Sequence, residues 1–104
     1  MEEHKGILDR SLEFTKALGN GDIIVKSAES RESEIAQEGF IGRLWQVPYL
    51  AFACPQGSRM EKILGTSGTV IVNISKDLTV ECEVSCDMTC GDEKLFYLKA
   101  LSVS

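Results

Sequence analysis

The sequence predicts an α+β fold, in which an N-terminal helix packs on a mainly antiparallel sheet that ends in a C-terminal three-stranded meander. Two patterns carry this prediction. Apolar residues recur with helical spacing between residues 3 and 18, and they alternate with polar residues from 78 to 90. The chain has 104 residues, of which 43% are hydrophobic, so residues 1–104 are expected to form a single globular domain.

The N-terminal helix, over residues 3–18, is predicted from an apolar stripe that contains Ile7, Phe14 and Leu18. The sequence Gly19-Asn20-Gly21 follows this stripe. Glycine and asparagine tolerate the left-handed backbone conformation that ends many helices. The helix is therefore expected to end near residue 18 and to cover one face of the sheet.

The middle of the chain holds short segments with mixed signals. Residues 22–28 are rich in β-branched side chains and residues 48–54 are largely apolar, so both are expected to be strands. Residues 29–39 are polar and fit a loop or a short exposed helix. Residues 40–47 place apolar side chains on one helical face, although Gly42 weakens a helix by about 1 kcal/mol relative to alanine.

The C-terminal third has the clearest pattern. Residues 69–75 read as a strand, and from 78 to 90 every even position is apolar or sulfur-bearing, which is typical of a half-buried strand. Residues 91–94 then turn the chain, and residues 95–103 return as a partner strand. These three strands form the predicted meander.

The charge of the chain excludes some function classes. The net charge is −5, which disfavours direct nucleic-acid binding through phosphate neutralisation and docking on an anionic membrane. The N-terminal sequence MEEHKGILDRSLEF lacks the basic start and apolar core of a signal peptide. A cytoplasmic location with reduced thiols is therefore expected.

The four cysteines suggest a metal site that the strand geometry opposes. Cys82, Cys86 and Cys90 are four residues apart, which on a regular strand is roughly 13 Å. Sulfur ligands of one zinc ion must lie much closer, because each binds at about 2.3 Å from the metal. A degenerate zinc-ribbon-like site made of Cys54, Cys82, Cys86 and Cys90 therefore remains only an alternative, which requires the strand to break near Asp87.

Cys54 is the candidate catalytic residue. It precedes Pro55, a turn with Gly57, and a short helical segment at 58–65, so the helix N-terminus would point at its sulfur. Such a setting lowers the pKa of a thiol and activates it as a nucleophile or redox centre. The spacing narrowly misses that of phosphatase-type loops and of thioredoxin-like motifs, so a thiol-dependent enzyme is the second hypothesis.

The leading prediction is a small acidic, non-enzymatic regulatory protein that inhibits a larger protein or nucleoprotein complex and uses no cofactor. Two surfaces are candidate partner sites, for a basic protein partner or a second copy in a homodimer. Aromatic residues and arginine are enriched at binding hot spots, and acidic side chains suit a basic partner. The two sets are Phe40, Arg43, Leu44, Trp45 and Tyr49, and Glu81, Glu83 and Asp87.

Overall fold

The computed structural model describes residues 10–44 and 47–103, except for the side chain of Leu44. Strands account for 58% of it. In chain order the elements are α1 (Ser11–Asn20), β1 (Ile24–Ser27), β2 (Ser33–Ile35), β3 (Glu38–Leu44), β4 (Val47–Pro55), α2 (Arg59–Thr66), β5 (Thr69–Ser75), β6 (Leu78–Cys90) and β7 (Glu93–Val103). Neither helix in this described part has the length or apolar character needed to span a bilayer.

All seven strands belong to one antiparallel sheet with the order β2-β1-β5-β6-β7-β4-β3. The strands at its two edges, β2 and β3, are consecutive in the chain and are joined only by Ala36 and Gln37. Three Cα–Cα steps from Ile35 to Glu38 span at most about 11 Å. The edges must therefore approach each other, and the sheet curls into a half-barrel.

The predicted fold class is wrong, because the molecule is mostly β and the sheet wraps around its own core. Strands β5, β6 and β7 are the centre of one curved sheet rather than a separate meander under a helix. The prediction differs from the structure in the middle of the chain, where β2 and β3 occupy segments that the sequence suggested were loop or helix. Gly42, which weakens a helix, lies in β3 opposite Tyr49. A Cβ at this position would lie 2.6 Å from the Tyr49 hydroxyl oxygen, so the Tyr49 ring packs where a side chain would otherwise be.

Helix α1 packs on the inner face of the sheet through Phe14 and Ala17. The Phe14 and Phe52 rings lie 5.9 Å apart. The helix ends at Asn20, and the residue that caps it, Gly21, has a φ of 74° and an N–H that bonds to the Leu18 carbonyl. The first part of the predicted helix, including Ile7, lies outside the described residues.

Strand β6 changes its side-chain alternation halfway along. From Leu78 to Cys82 the even positions are buried, but from Ser85 onward every residue is exposed. The register with β7 shifts between Val84 and Cys86, which is a β-bulge that inserts one extra residue. Beyond the bulge the even positions therefore face outward, opposite to the predicted alternation.

Candidate functional site

An open cleft of about 500 Å³ lies where β4 ends and α2 begins, beside the crossing from β2 to β3. Its walls come from four separate stretches of the chain, because the curled sheet brings its two edges to the same place. The lining residues are Glu34, Ile35, Gln37, Glu38, Ala53, Cys54, Pro55, Ser58, Arg59, Met60 and Glu93.

Two hydrogen bonds from Gln56 fix the turn between β4 and α2 to the turn between β6 and β7. The Gln56 N–H donates to the Asp92 carbonyl at 2.8 Å, and its side-chain amide donates to the Gly91 carbonyl at 2.6 Å. The next residue, Gly57, has a φ of 85°, a conformation that glycine adopts without a steric penalty. The turn is therefore anchored to the neighbouring β6–β7 turn.

The first turn of α2 is closed by a variant capping box, in which the glutamate bonds to the residue before the N-cap Ser58. The Ser58 hydroxyl accepts a hydrogen bond from the Glu61 N–H at 3.2 Å, and the Glu61 carboxylate accepts one from the Gly57 N–H. Lys94 Nζ lies 3.8 Å from the same carboxylate. A serine followed three residues later by a glutamate is a sequence signal for a helix start, and it would have located this end of α2.

Cys54 is buried at the floor of the cleft, where its thiol donates to the Lys94 carbonyl at 3.8 Å. Burial raises the pKa of the Cys54 thiol, and the Ser58 hydroxyl only partly opposes this. The direction is opposite to that expected for an activated thiolate. Cys54 and the first turn of α2 line the same cleft, but desolvation has the largest effect on the pKa of the thiol.

The mouth of the cleft carries more carboxylates than cations. Glu34, Glu38 and Glu93 face a single guanidinium, that of Arg59. Arg59 Nε lies 3.8 Å from a Glu34 carboxylate oxygen, and both side chains remain substantially exposed. The interior is less polar, since Ile35, Ala53 and Met60 contribute apolar surface. The arrangement therefore suits a ligand without negative charge that contacts the apolar side chains.

The four cysteines are not brought together. Cys82 is fully buried in the core, where burial raises its pKa to about 12, whereas Cys86 and Cys90 are exposed. Within residues 10–44 and 47–103, no group of three or more His, Cys, Asp or Glu side chains is placed to hold a metal ion. The zinc-ribbon-like set of Cys54, Cys82, Cys86 and Cys90 thus has no counterpart in the described geometry.

The acidic candidate surface is divided between two faces of the sheet. Glu83 lies opposite Lys99 in the β6–β7 register, whereas Asp87 lies opposite the buried Phe96. Because the Ser85 bulge reverses the alternation, Asp87 faces α2, where it lines a groove with Phe96 and other residues. Glu81 and Glu83 remain exposed on the outer face, so the predicted three-residue acidic surface is not continuous.

The aromatic candidate surface is partly described. Phe40 is exposed and Tyr49 is half-buried; their ring centroids lie 6.2 Å apart on the outer face, and Tyr97 extends the row at 5.4 Å from Tyr49. Arg43 is exposed, whereas Trp45 and the side chain of Leu44 lie outside the described residues. Partner binding at this surface, including the homodimer, stays a prediction.

Sequence reasoning identified Cys54 but missed most of the cleft. Glu34, Ile35 and Glu38 lie in a segment for which the sequence predicts a polar loop or a short helix. Glu93, which was predicted to lie in the turn after β6, begins β7. No local pattern links residues so far apart in the chain, because their proximity follows from the curvature of the sheet. Ser58 was missed as well, although a serine followed three residues later by Glu61 is a local signal for a helix start.

Solved structures share this fold. The flavin reductase PheA2 in its native state matches with a TM-score of 0.67 and 12% identity, covering 79% of this chain and 76% of that chain. The NADH:FAD oxidoreductase SgcE6 of Streptomyces globisporus matches with a TM-score of 0.64 and 9% identity over 79% and 67%. An FMN-binding protein from Thermus thermophilus with bound p-hydroxybenzaldehyde matches with a TM-score of 0.64 and 10% identity over 79% and 69%.

No protein-family model and no curated protein matches the chain. At these identities the likeness shows the fold. The comparison contradicts the predicted non-enzymatic regulator or inhibitor, because the three solved structures named above are a flavin reductase, an NADH:FAD oxidoreductase and an FMN-binding protein.

Proposed function

We propose that this chain is a flavin-binding oxidoreductase and that the cleft between β4, α2 and the β2–β3 crossing holds the flavin ring. The observation that carries the proposal is the presence of this cleft in a fold that solved flavin reductases share. Its volume of about 500 Å³ falls in the range of small-molecule sites, which are usually pockets of about 300–1,000 Å³.

The cleft residues fit the chemistry of the ring system. Ile35, Ala53 and Met60 provide apolar surface for the flat faces. The Gln37 amide combines a donor and an acceptor, which suits the alternating donor and acceptor groups at the ring edge. The bound flavin would supply reversible electron transfer, which protein side chains alone do not provide.

The residues that line the cleft would position the flavin ring and exclude water from it. Met60 is buried and belongs to the first turn of a helix that is anchored by its capping box. The neighbouring Cys54 stays protonated near neutral pH, because burial raises its pKa. It therefore contributes a small neutral surface at the floor of the site rather than a competing nucleophile.

The test is a titration of the purified chain with riboflavin, followed by the change in flavin absorption. Ile35→Ala should weaken binding by about fivefold, because it removes apolar surface from one wall. Ile24→Ala is the matched control: Ile24 pairs with Ile35 in the β1–β2 register and is similarly exposed, but it does not line the cleft. Absence of binding by riboflavin, FMN and FAD alike would contradict the proposed function.

A reductant then tests the oxidoreductase part. Bleaching of the visible absorption of the bound flavin by NADH, under anaerobic conditions, would support a flavin reductase. If the flavin binds but neither NADH nor NADPH bleaches it, the protein binds flavin without reducing it. This result would contradict the reductase assignment.

A further inference from the structure

A second groove lies on the outer face of the sheet, where β4, β7 and β6 are neighbours. Its volume is about 380 Å³, within the range of about 300–1,000 Å³ that is usual for small-molecule sites. It shares no lining residue with the flavin cleft. Its walls include Val47, Tyr49, Ser85, Cys86, Tyr97 and Lys99.

The bulge in β6 shapes one wall of this outer groove. Ser85 has no Cα partner in the β6–β7 register, and the shift places Cys86 opposite Tyr97. Without the bulge, the alternation that buries Cys82 would continue, and Cys86 would face the core. Bulges are frequent beside functional sites, where they re-aim a side chain. The extra residue therefore turns Cys86 to the outer face, where it lines the groove.

Two tyrosines give the outer groove an aromatic wall. The ring centroids of Tyr49 and Tyr97 lie 5.4 Å apart at an interplanar angle of 70°, and both side chains are half-buried. Val47, which is exposed, adds apolar surface beside them. Aromatic rings prefer offset or edge-to-face contacts with other rings. The wall therefore suits a ligand that contains an aromatic ring.

The charged lining of the outer groove is cationic. Lys99 is exposed there and forms no ion pair with any residue that the structure describes. Glu83 lies opposite Lys99 in the register but does not line the groove. Among the described residues no Asp or Glu lines it, whereas three glutamates line the flavin cleft. In a chain of net charge −5, this groove therefore favours an anion.

We propose that the outer groove is a second ligand site, which binds a small aromatic carboxylate. The ring contacts Tyr49 and Tyr97, and the carboxylate lies beside the Lys99 ammonium. The hydroxyl groups of Ser85 and of the two tyrosines are further hydrogen-bond donors in the lining set. A few polar groups among mostly apolar walls are the usual composition of a small-molecule site. The site goes beyond the proposed flavin function and does not depend on it.

Titration of the purified chain with benzoate, followed by NMR of the ligand, tests the charge preference against the neutral benzamide. Benzoate should bind about fivefold more tightly, which is the upper end of what an exposed ion pair contributes. Lys99→Gln should remove this difference and leave benzamide binding unchanged. Lys26→Gln is the matched control, since Lys26 is also an exposed strand lysine but does not line the groove. Benzamide binding as tight as benzoate binding in the unmodified chain would overturn the proposal.

Thiol protection tests the location. Saturating benzoate should slow the alkylation of Cys86 by iodoacetamide several-fold, because the ligand covers the groove. Cys90 is the internal control, since it is exposed on the same strand but does not line the groove. An unchanged rate at Cys86, or equal slowing at both cysteines, would overturn the site.

Two other occupants would give different results. Benzoate binding that Ile35→Ala weakens and Lys99→Gln leaves unchanged would assign the ligand to the flavin cleft and overturn the second site. A second copy of the chain on this face would protect Cys86 without ligand as the protein concentration rises. Sedimentation would then show a dimer over the same concentrations, and this result would also overturn the proposal.

Discussion

The two halves of strand β6 have similar sequence patterns but different surroundings. In the first half Leu78, Val80 and Cys82 are fully buried, whereas in the second half Cys86 and Met88 are exposed. The apolar alternation continues through both halves, and the bulge at Ser85 lies between them. The comparison teaches that alternation specifies a strand, while the face that a residue occupies depends on the register with the neighbouring strand.

Thiol labelling should give the largest difference between the two halves. Cys86 should react with iodoacetamide at the rate of an exposed thiol. Cys82 should react at least about a thousandfold more slowly, because it must first be exposed by unfolding. Peptide mapping by mass spectrometry measures the two rates in one sample, and equal rates would show that the first half is not buried.

Truncation of apolar side chains should separate the halves by stability. Val80→Ala should lower the free energy of unfolding by about 1–3 kcal/mol, because it leaves a cavity in the core. Met88→Ala is the control in the second half, where a side chain that is 48% exposed should cost less than about 0.5 kcal/mol. Urea denaturation measures both, and similar costs would contradict the reversed alternation beyond the bulge.

The pH dependence of stability tests the burial of Cys82. Its pKa is raised from 9.0 to about 12 in the fold, so the unfolded chain loses this proton at a lower pH than the folded chain. The free energy of unfolding should therefore fall as the pH rises from 9 towards 12, by up to about 1.4 kcal/mol per pH unit. Cys82→Ala should remove this part of the slope, whereas Cys86→Ala should retain it.

Charge removal on the outer face should have the smallest effect. Glu83 is exposed opposite Lys99, and Glu83→Ala should change the free energy of unfolding by less than about 0.5 kcal/mol. A larger loss in urea denaturation would mean that the Glu83–Lys99 pair supports the β6–β7 register.

The sequence predicted local features better than their arrangement. Strands 69–75 and 78–90 have the bounds that alternation indicated, and the turn after Cys54 leads into a helix as expected. The fold class was wrong because β2 and β3 have weak patterns of their own and are stabilised by pairing with β1 and β4. Glu34 and Glu93 line one cleft only because the sheet curls, and no local periodicity encodes that curvature.

The two-residue crossing at Ala36 and Gln37 determines where this chain tolerates insertions. Ala36 is buried and its N–H bonds to the Ile23 carbonyl at 2.9 Å, while Gln37 lines the cleft. Added residues at most surface loops cost little stability, because the closure entropy rises slowly with loop length. At this crossing an added residue would let the sheet edges separate and widen the cleft, whereas one added at the exposed Lys76–Asp77 turn would leave the cleft unchanged.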